Sequence, residues 1–147
     1  MATTIRTVMT EHACAGPGFA IHDAEVDQMS AAYATADARY YVVERDHQVL
    51  GGAGFARLQG STVEQATCEL RKMYFDPKAR GLGLGRALLD LLLAEMRSAG
   101  YRRCYLETTK QMQAAQRLYR AAGFAPLCAA EGNTGHHGCD TFYVKAW

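Results

Sequence analysis

The sequence predicts an α+β fold, an α/β sandwich in which helices flank a mixed β-sheet. Two stretches, residues 83–99 and 111–122, carry apolar residues at helical spacing, and a glycine follows each of them, as is common at the C-terminal ends of helices. Segments rich in β-branched and aromatic residues precede, separate and follow these stretches. Strands that alternate with helices in this way form a sheet with helices packed against it.

The first half of the chain is predicted to hold a strand, a helix and a β-hairpin. Asp23 stands where the helix begins and is a candidate cap for it. Gly51 and Gly52 interrupt the second arm of the hairpin, which indicates a bulge or a close backbone neighbour. The predicted bounds are residues 5–10 for the strand, 23–33 for the helix, and 40–44 and 49–58 for the hairpin arms.

The second half is predicted to alternate strands with the two helices. Asp76 and Pro77 end the strand that precedes the first of these helices. The predicted strands cover residues 68–75, 104–108, 124–127 and 141–145. The residues predicted to form the buried face of the first helix are Leu84, Leu88, Leu91, Leu92 and Met96.

Composition predicts one soluble domain over residues 1–147. The chain has 16 Lys and Arg against 15 Asp and Glu, a formal net charge of +1. No overall charge therefore draws it to nucleic acid or to a membrane, and we expect neither as a partner. The sequence shows neither a secretory leader nor an apolar span, so the expected location is cytoplasmic.

The five cysteines are an odd number without paired close spacing, which predicts free thiols in a reducing compartment. Cys128, His136, His137 and Cys139 form a cluster whose spacing fits no common structural zinc site. We therefore expect no bound metal there.

The most informative stretch is the glycine-rich turn of residues 75–86, which joins a strand to the first of the two helices. Its glycines allow a ligand to approach the backbone closely, and the free amides at the start of a helix attract an anion. Arg80 and Arg86 bracket the turn with two charges, so a diphosphate is the natural occupant. The dinucleotide fingerprint is absent because Arg86 and Leu88 stand where it requires glycine, and the nucleotide P-loop signature is absent too. A glycine turn without a ligand is the alternative.

Two motifs in register resemble the GNAT superfamily of acyl-CoA-dependent N-acyltransferases. Arg80-x-x-Gly83-x-Gly85 opens a helix, as the pyrophosphate loop of that family does. Residues 115–124 are similar to a later family helix that reads Ala-x-x-Leu-Tyr-x-x-x-Gly-Phe. The resemblance is strong over residues 68–124 and implies the fold of that family, with a splayed pair of central strands.

The resemblance also implies that acetyl-CoA is the co-substrate. Its pantetheine arm is expected to pair with the backbone at Met73 and Phe75, in a segment whose broken alternation indicates a bulge. One departure is Met112, which stands where many members carry an asparagine that contacts the cofactor, and whether Gln111 replaces that contact is open. The predicted cofactor-binding residues are Met73, Phe75, Arg80, Gly81, Gly83, Leu84, Gly85, Arg86 and Ala115.

The same resemblance implies two catalytic residues. Tyr119 matches the tyrosine whose hydroxyl faces the thioester sulfur, where an acid assists the leaving thiolate; the alternative is a core aromatic. Glu69 has the spacing at which histone-acetylating members carry a glutamate base, and burial within a sheet raises the pKa of such a carboxyl. The alternatives are an ion pair with Arg71 or Lys72, or a water chain that takes the place of a single base.

Three other residues are weaker candidates near the acceptor. Glu107 ends a strand close to the cleft, with a cap or an ion pair as its alternative. His136 and His137 lie in the loop between the last two strands, which often edges the acceptor site in this family, although a loop histidine is usually solvated.

The sequence therefore predicts an N-acetyltransferase that passes the acetyl group of acetyl-CoA to a primary amine of a small molecule or a peptide. No cysteine is placed as a nucleophile paired with a histidine base. We therefore expect the amine to attack the thioester directly, without a covalent acyl-enzyme. The alternative is a non-catalytic CoA-sensing or partner-binding module on the same scaffold. A homodimer is an expectation that comes from the family alone.

Overall fold

The computed structural model describes residues 1–147. Its α-helices are α1 (Ala2–Glu11), α2 (Met29–Ala32), α3 (Leu84–Ser98) and α4 (Gln113–Ala121). Its strands are β1 (Arg39–Arg45), β2 (Gln48–Arg57), β3 (Thr67–Phe75), β4 (Arg103–Thr108), β5 (Ala125–Leu127) and β6 (Thr141–Ala146). Short 3₁₀ turns cover Ala20–His22, Ala24–Asp27 and Pro77–Ala79.

The strands form one mixed sheet in the order β1-β2-β3-β4-β6-β5. The central β3–β4 pair is parallel, and every other pair is antiparallel. One apolar cluster joins α3 and α4 to the sheet and contacts Met73 and Phe75. A smaller cluster joins α1 and the turns after it to Tyr74, on the other face. The predicted α+β sandwich with a mixed, mostly antiparallel sheet is confirmed.

The two central strands separate shortly after they meet. β3 and β4 pair only over residues 67–69 and 103–105, although β3 continues to Phe75. The splayed central pair that the resemblance implied is therefore present. Glu69, opposite Tyr105, is the last residue of β3 that pairs with β4, and it lies where these two strands diverge.

A bulge in β3 decides which of its side chains face each side of the sheet. The pairing register with β2 shifts there, and Lys72 has a left-handed φ of 50°. Before the bulge Leu70 belongs to the α3 cluster, and after it Met73 and Phe75 contact that cluster. The alternation has thus moved by one residue, which confirms the predicted break.

The glycines of β2 allow close contact with both neighbouring strands. A Cβ atom on Gly51 would lie 2.4 Å from the Phe75 ring, and one on Gly52 would lie 2.6 Å from the Tyr41 carbonyl oxygen. Real Cβ contacts are never this short, so these two positions exclude side chains. The predicted close backbone neighbour is confirmed.

The first segment is a helix, and the strand predicted at residues 5–10 is wrong. α1 buries Thr4, Ile5, Val8 and Met9, which recur at helical spacing. The β-branched residues that suggested a strand have only a weak intrinsic preference, which packing against the sheet overrides.

The helix predicted at residues 23–33 is wrong in its extent. Two 3₁₀ turns and the single turn of α2 occupy this segment. Asp23 makes no capping hydrogen bond, because its carboxylate accepts from Lys72 Nζ and lies 2.8 Å from His136 Nε2. A tertiary contact therefore takes the side chain that seemed suited to a cap.

The buried face of α3 is rotated from the predicted one. Leu91 is 44% exposed, and the buried residues are Leu88, Leu89, Leu92, Leu93 and Met96. A leucine-rich helix offers two adjacent apolar stripes, and spacing alone does not decide between them. No helix of the chain has both the length and the apolar character that crossing a membrane requires.

Candidate active site

A groove of 480 Å³ runs along the end of β3, between the glycine turn and α4. It is the place where the predicted cofactor residues meet. Its lining includes Met73, Phe75, Arg80, Gly81, Gly83, Leu84, Gly85, Arg86 and Ala115, together with Tyr119. Met112, which replaces the asparagine of many family members, also lines the groove, as does its neighbour Gln111.

The glycine turn presents unpaired backbone donors to this groove. Gly81 and Gly83 have φ of 75° and 76°, a left-handed conformation that glycine adopts without steric cost. The N–H groups of residues 81–86 find no acceptor in the protein, and the first backbone bond of α3 runs from Ala87 to Gly83. Such a helix start binds anions through its amides and its dipole.

The two arginines beside the turn are not free charges. Arg80 makes a bidentate pair with Glu11, both contacts at 2.6 Å, and Arg86 pairs with Asp90 at 2.8 Å. Glu11 comes from the distant helix α1, and Asp90 lies one turn along α3. An anion that binds here competes with those carboxylates for the arginines.

Tyr119 packs like a core aromatic but keeps its hydroxyl available. Its ring lies 6.0 Å from that of Phe124 and 6.2 Å from that of Tyr143. Tyr143 donates to Gln116 at 3.2 Å, whereas the Tyr119 hydroxyl has no partner in the protein and lines the groove. Burial raises the pKa of Tyr119, so the hydroxyl keeps its proton at neutral pH.

A chamber of 50 Å³ lies between the groove and the opposite side of the splayed strands. It shares Tyr74 and Met112 with the groove. It shares Glu69 and His136, among others, with an open outer pocket of 230 Å³. The chamber is therefore adjacent to both the groove and the outer pocket.

Glu69 lines this chamber and not the groove. The residue is 3% exposed, and Arg71 Nε donates to its carboxylate at 2.6 Å. Burial raises the pKa of Glu69, although the charge and hydrogen bond of Arg71 oppose the rise. The ion pair considered from sequence is thus present, and the carboxyl still holds a proton more readily than a solvated glutamate does.

A network of charged side chains forms the wall between the chamber and the outer pocket. Lys72, whose side chain is 2% exposed, contacts Asp23 and lies 3.0 Å from Glu25. Arg71 lies 3.7 Å from Glu25 and also holds Glu69. Both permanent cations of this wall are therefore engaged by carboxylates.

Glu107 and His136 complete the network, while His137 lies outside it. Glu107 Oε1 accepts from the Tyr105 and Thr134 hydroxyls at 2.7 and 2.9 Å. His136 Nε2 lies 2.8 Å from Asp23, and its Nδ1 lies 3.7 Å from Glu107 Oε2. His137 is exposed.

Comparison with known proteins identifies the family. A model described as the acetyltransferase (GNAT) family matches residues 6–124. The N-acetyltransferase YjgM of Escherichia coli is 40% identical over 146 residues, which cover 99% of this chain and 86% of that protein. The chain belongs to the GNAT family. It is an acyltransferase, and its activity is N-acetyl transfer.

Solved structures share the fold of this GNAT chain. An acetyltransferase from Streptococcus agalactiae superposes with a TM-score of 0.81 at 18% identity and covers 99% of this chain and 88% of its own. An acetyltransferase from Salmonella typhimurium, solved with its cofactor acetyl-CoA, gives 0.71 at 23% identity and covers 99% and 87%.

The structure of this GNAT enzyme adds site residues that the sequence did not reveal. Tyr74 lines both the groove and the chamber, and burial raises its pKa. Lys72, Asp23 and Glu25 form the wall of the chamber. The one available signal was the presence of Glu69, Arg71 and Lys72 within one predicted strand, because charged side chains that become buried require partners of opposite charge.

Proposed function

We propose that the protein transfers the acetyl group of acetyl-CoA to a primary amine of a small molecule or a peptide by direct attack. The observation that carries the proposal is the chamber, which lies between a groove suited to CoA and a charged outer pocket and shares lining residues with each. Two substrates that enter from opposite sides of the splayed strands meet there without a covalent enzyme intermediate. Holding them in that geometry is itself a large part of catalysis.

The cofactor's diphosphate would occupy the unpaired amides of residues 81–86. Its pantetheine arm would then follow the end of β3 past Met73 and Phe75 toward Tyr119. This path supports acetyl-CoA as the donor. The diphosphate would meet backbone donors, and the alkyl parts of the pantetheine arm would meet Ala115 and Leu118. The thioester would end beside the chamber.

Glu69 is the proposed base. The acceptor nitrogen must lose a proton before or as it attacks the acetyl carbonyl carbon, and a carboxylate whose pKa is raised toward neutrality accepts that proton well. The nitrogen forms a bond to the carbonyl carbon, and the carbon–sulfur bond then breaks. The products are the N-acetylated amine and the CoA thiolate.

Tyr119 is the proposed acid for that thiolate. Its hydroxyl has no partner in the protein and lines the groove at the end where the sulfur would lie. Its raised pKa keeps the hydroxyl protonated at neutral pH. Burial disfavours a free thiolate in the same way, so the proton can pass from the tyrosine to the sulfur as the carbon–sulfur bond breaks. Solvent then returns a proton to the tyrosine.

Two measurements on the unmodified protein test the proposed function. Calorimetry should show acetyl-CoA binding, and a thiol-release assay should show CoA release that depends on an added primary amine. Binding without amine-dependent release would exclude the added primary amines as acceptors and overturn the proposal. Absence of binding would remove the groove as the cofactor site.

A further inference from the structure

Glu107 has one carboxylate oxygen that nothing in the protein satisfies. Its side chain is only 4% exposed, and its Oε1 is held by the Tyr105 and Thr134 hydroxyls. Its Oε2 is buried and makes no hydrogen bond, the one such side-chain atom in the structure. Leaving a buried carboxylate oxygen unpaired is costly, so the position calls for a proton donor that the protein does not supply.

His136 is close to this oxygen but does not satisfy it. The distance from its Nδ1 to Glu107 Oε2 is 3.7 Å, which is too long for a hydrogen bond. The other ring nitrogen is engaged with Asp23 at 2.8 Å, which anchors the ring. The unpaired oxygen thus belongs to a residue that lines the chamber, and no group of the protein completes its hydrogen bonding.

The space beside Glu107 fits an amino group. Glu107 lines the 50 Å³ chamber together with Glu69, and a single water needs roughly 10–15 Å³ by the same kind of measure. An ammonium group is little larger than a water and carries three donors. The chamber thus admits the reacting end of an amine while the remainder of the molecule stays in the outer pocket.

The charges around this space favour a cation. The chamber and outer pocket have four carboxylates, those of Asp23, Glu25, Glu69 and Glu107, against two permanent cations. Both cations, Arg71 and Lys72, are already engaged by Glu69, Glu25 and Asp23. A carboxylate brought in next to the nitrogen would face Glu69 and Glu107 and find no free cation to pair with.

We propose that Glu107 Oε2 holds the reacting amino group of the acceptor as its ammonium form, and that the site selects primary amines without a carboxylate on the adjacent carbon over α-amino acids. The proposal rests on the proposed function and deepens it by naming the acceptor class. The ammonium binds between the two glutamates, Glu69 takes one of its protons, and the neutral amine attacks the thioester.

Matched pairs of acceptors test this selectivity on the unmodified enzyme. The pairs are phenylethylamine with phenylalanine, tryptamine with tryptophan, and propylamine with 2-aminobutyrate, and the readout is acceptor-dependent release of CoA. We expect kcat/KM to be at least about tenfold higher for each amine, because the added carboxylate of the amino acid is repelled by Glu69 and Glu107. Equal or better use of the amino acids overturns the inference while the proposed function stands. No release with any amine overturns both.

The Glu107→Gln variant tests the residue itself. Loss of the anionic oxygen should raise KM for the preferred amine roughly tenfold with kcat changed less than about threefold, because the contact is made in the ground state and the transition state alike. The preference for amines over amino acids should narrow, which a merely structural role would not produce.

Glu64→Gln is the matched control, since Glu64 lies exposed in the loop before β3 and the substitution removes the same charge. An unchanged KM and an unchanged preference in Glu107→Gln would overturn the assignment of Glu107. If that variant does not fold, the matched pairs on the unmodified enzyme decide the proposal alone.

Discussion

The two sides of the splayed strands present different chemical groups: backbone N–H groups on one side and charged side chains on the other. The groove presents backbone donors from one continuous turn, residues 81–86. The chamber and the outer pocket present side chains drawn from four separate segments, those of Asp23, Glu69, Glu107 and His136. The groove therefore suits a constant ligand such as a nucleotide diphosphate, and the chamber is where a change of a few side chains would alter the acceptor.

Among the substitutions considered, that of Glu69 should reduce kcat the most. In Glu69→Gln we expect kcat to fall at least about a hundredfold, the lower range for a general base, while acetyl-CoA affinity measured by calorimetry stays the same. Glu131→Gln is the control, because Glu131 pairs with Arg103 at 2.5 Å but does not line the chamber. Unchanged kcat in Glu69→Gln would assign the base to a water chain.

The pH profile of the same variant sharpens this prediction. The base must be deprotonated, so kcat of the unmodified enzyme falls as pH drops through the pKa of Glu69. Because burial raises that pKa, the loss begins at a higher pH than the ordinary glutamate value of about 4.3 implies. This acidic limb should be absent in Glu69→Gln, and its persistence would locate the titrating group elsewhere.

The difference between the two sides also explains what the sequence revealed. The groove was predictable because its turn requires glycine at Gly81 and Gly83, where φ is near 75°, and these glycines stand close together in the sequence. The bulge at Lys72 was visible as a break in alternation. The charged wall was not, since Asp23 and His136 are 113 positions apart and meet only after folding.

The wrong predictions, for α1 and for Asp23, have the same cause: contacts between residues far apart in the sequence. α1 has β-branched residues and becomes a helix only because Ile5 and Met9 pack within an apolar cluster. Asp23 is a residue type that commonly caps helices, but its carboxylate contacts Lys72 and His136 instead. Local preference is weak where a tertiary partner exists, and one sequence does not name the partner.

Substitution of Tyr119 should have a smaller effect than that of Glu69. In Tyr119→Phe we expect kcat to fall roughly tenfold to a hundredfold, because the thiolate can still leave without an acid but does so more slowly. Tyr74→Phe is the informative companion, since Tyr74 also lines the groove and the chamber. A larger loss of kcat in Tyr74→Phe than in Tyr119→Phe would move the acid role to Tyr74.

Substitution of Gly83 tests the groove side alone and should have the smallest effect on turnover. Alanine at a φ of 76° is strained by roughly 1–2 kcal/mol, so the free turn relaxes and binding must restore its conformation. We expect acetyl-CoA affinity to weaken about tenfold, since 1.4 kcal/mol is a factor of ten, with kcat at saturating acetyl-CoA unchanged.

Gly100→Ala is the matched control for that strain. Gly100 has a φ of 87° and, like Gly83, open space where a Cβ would lie, but it follows α3 at the end opposite the groove. Both variants should lose about the same stability in thermal unfolding, and only Gly83→Ala should lose affinity in calorimetry. Equal affinity in the two variants would mean that the turn's conformation does not set cofactor binding, and the groove would then owe its grip to side chains, as the chamber does.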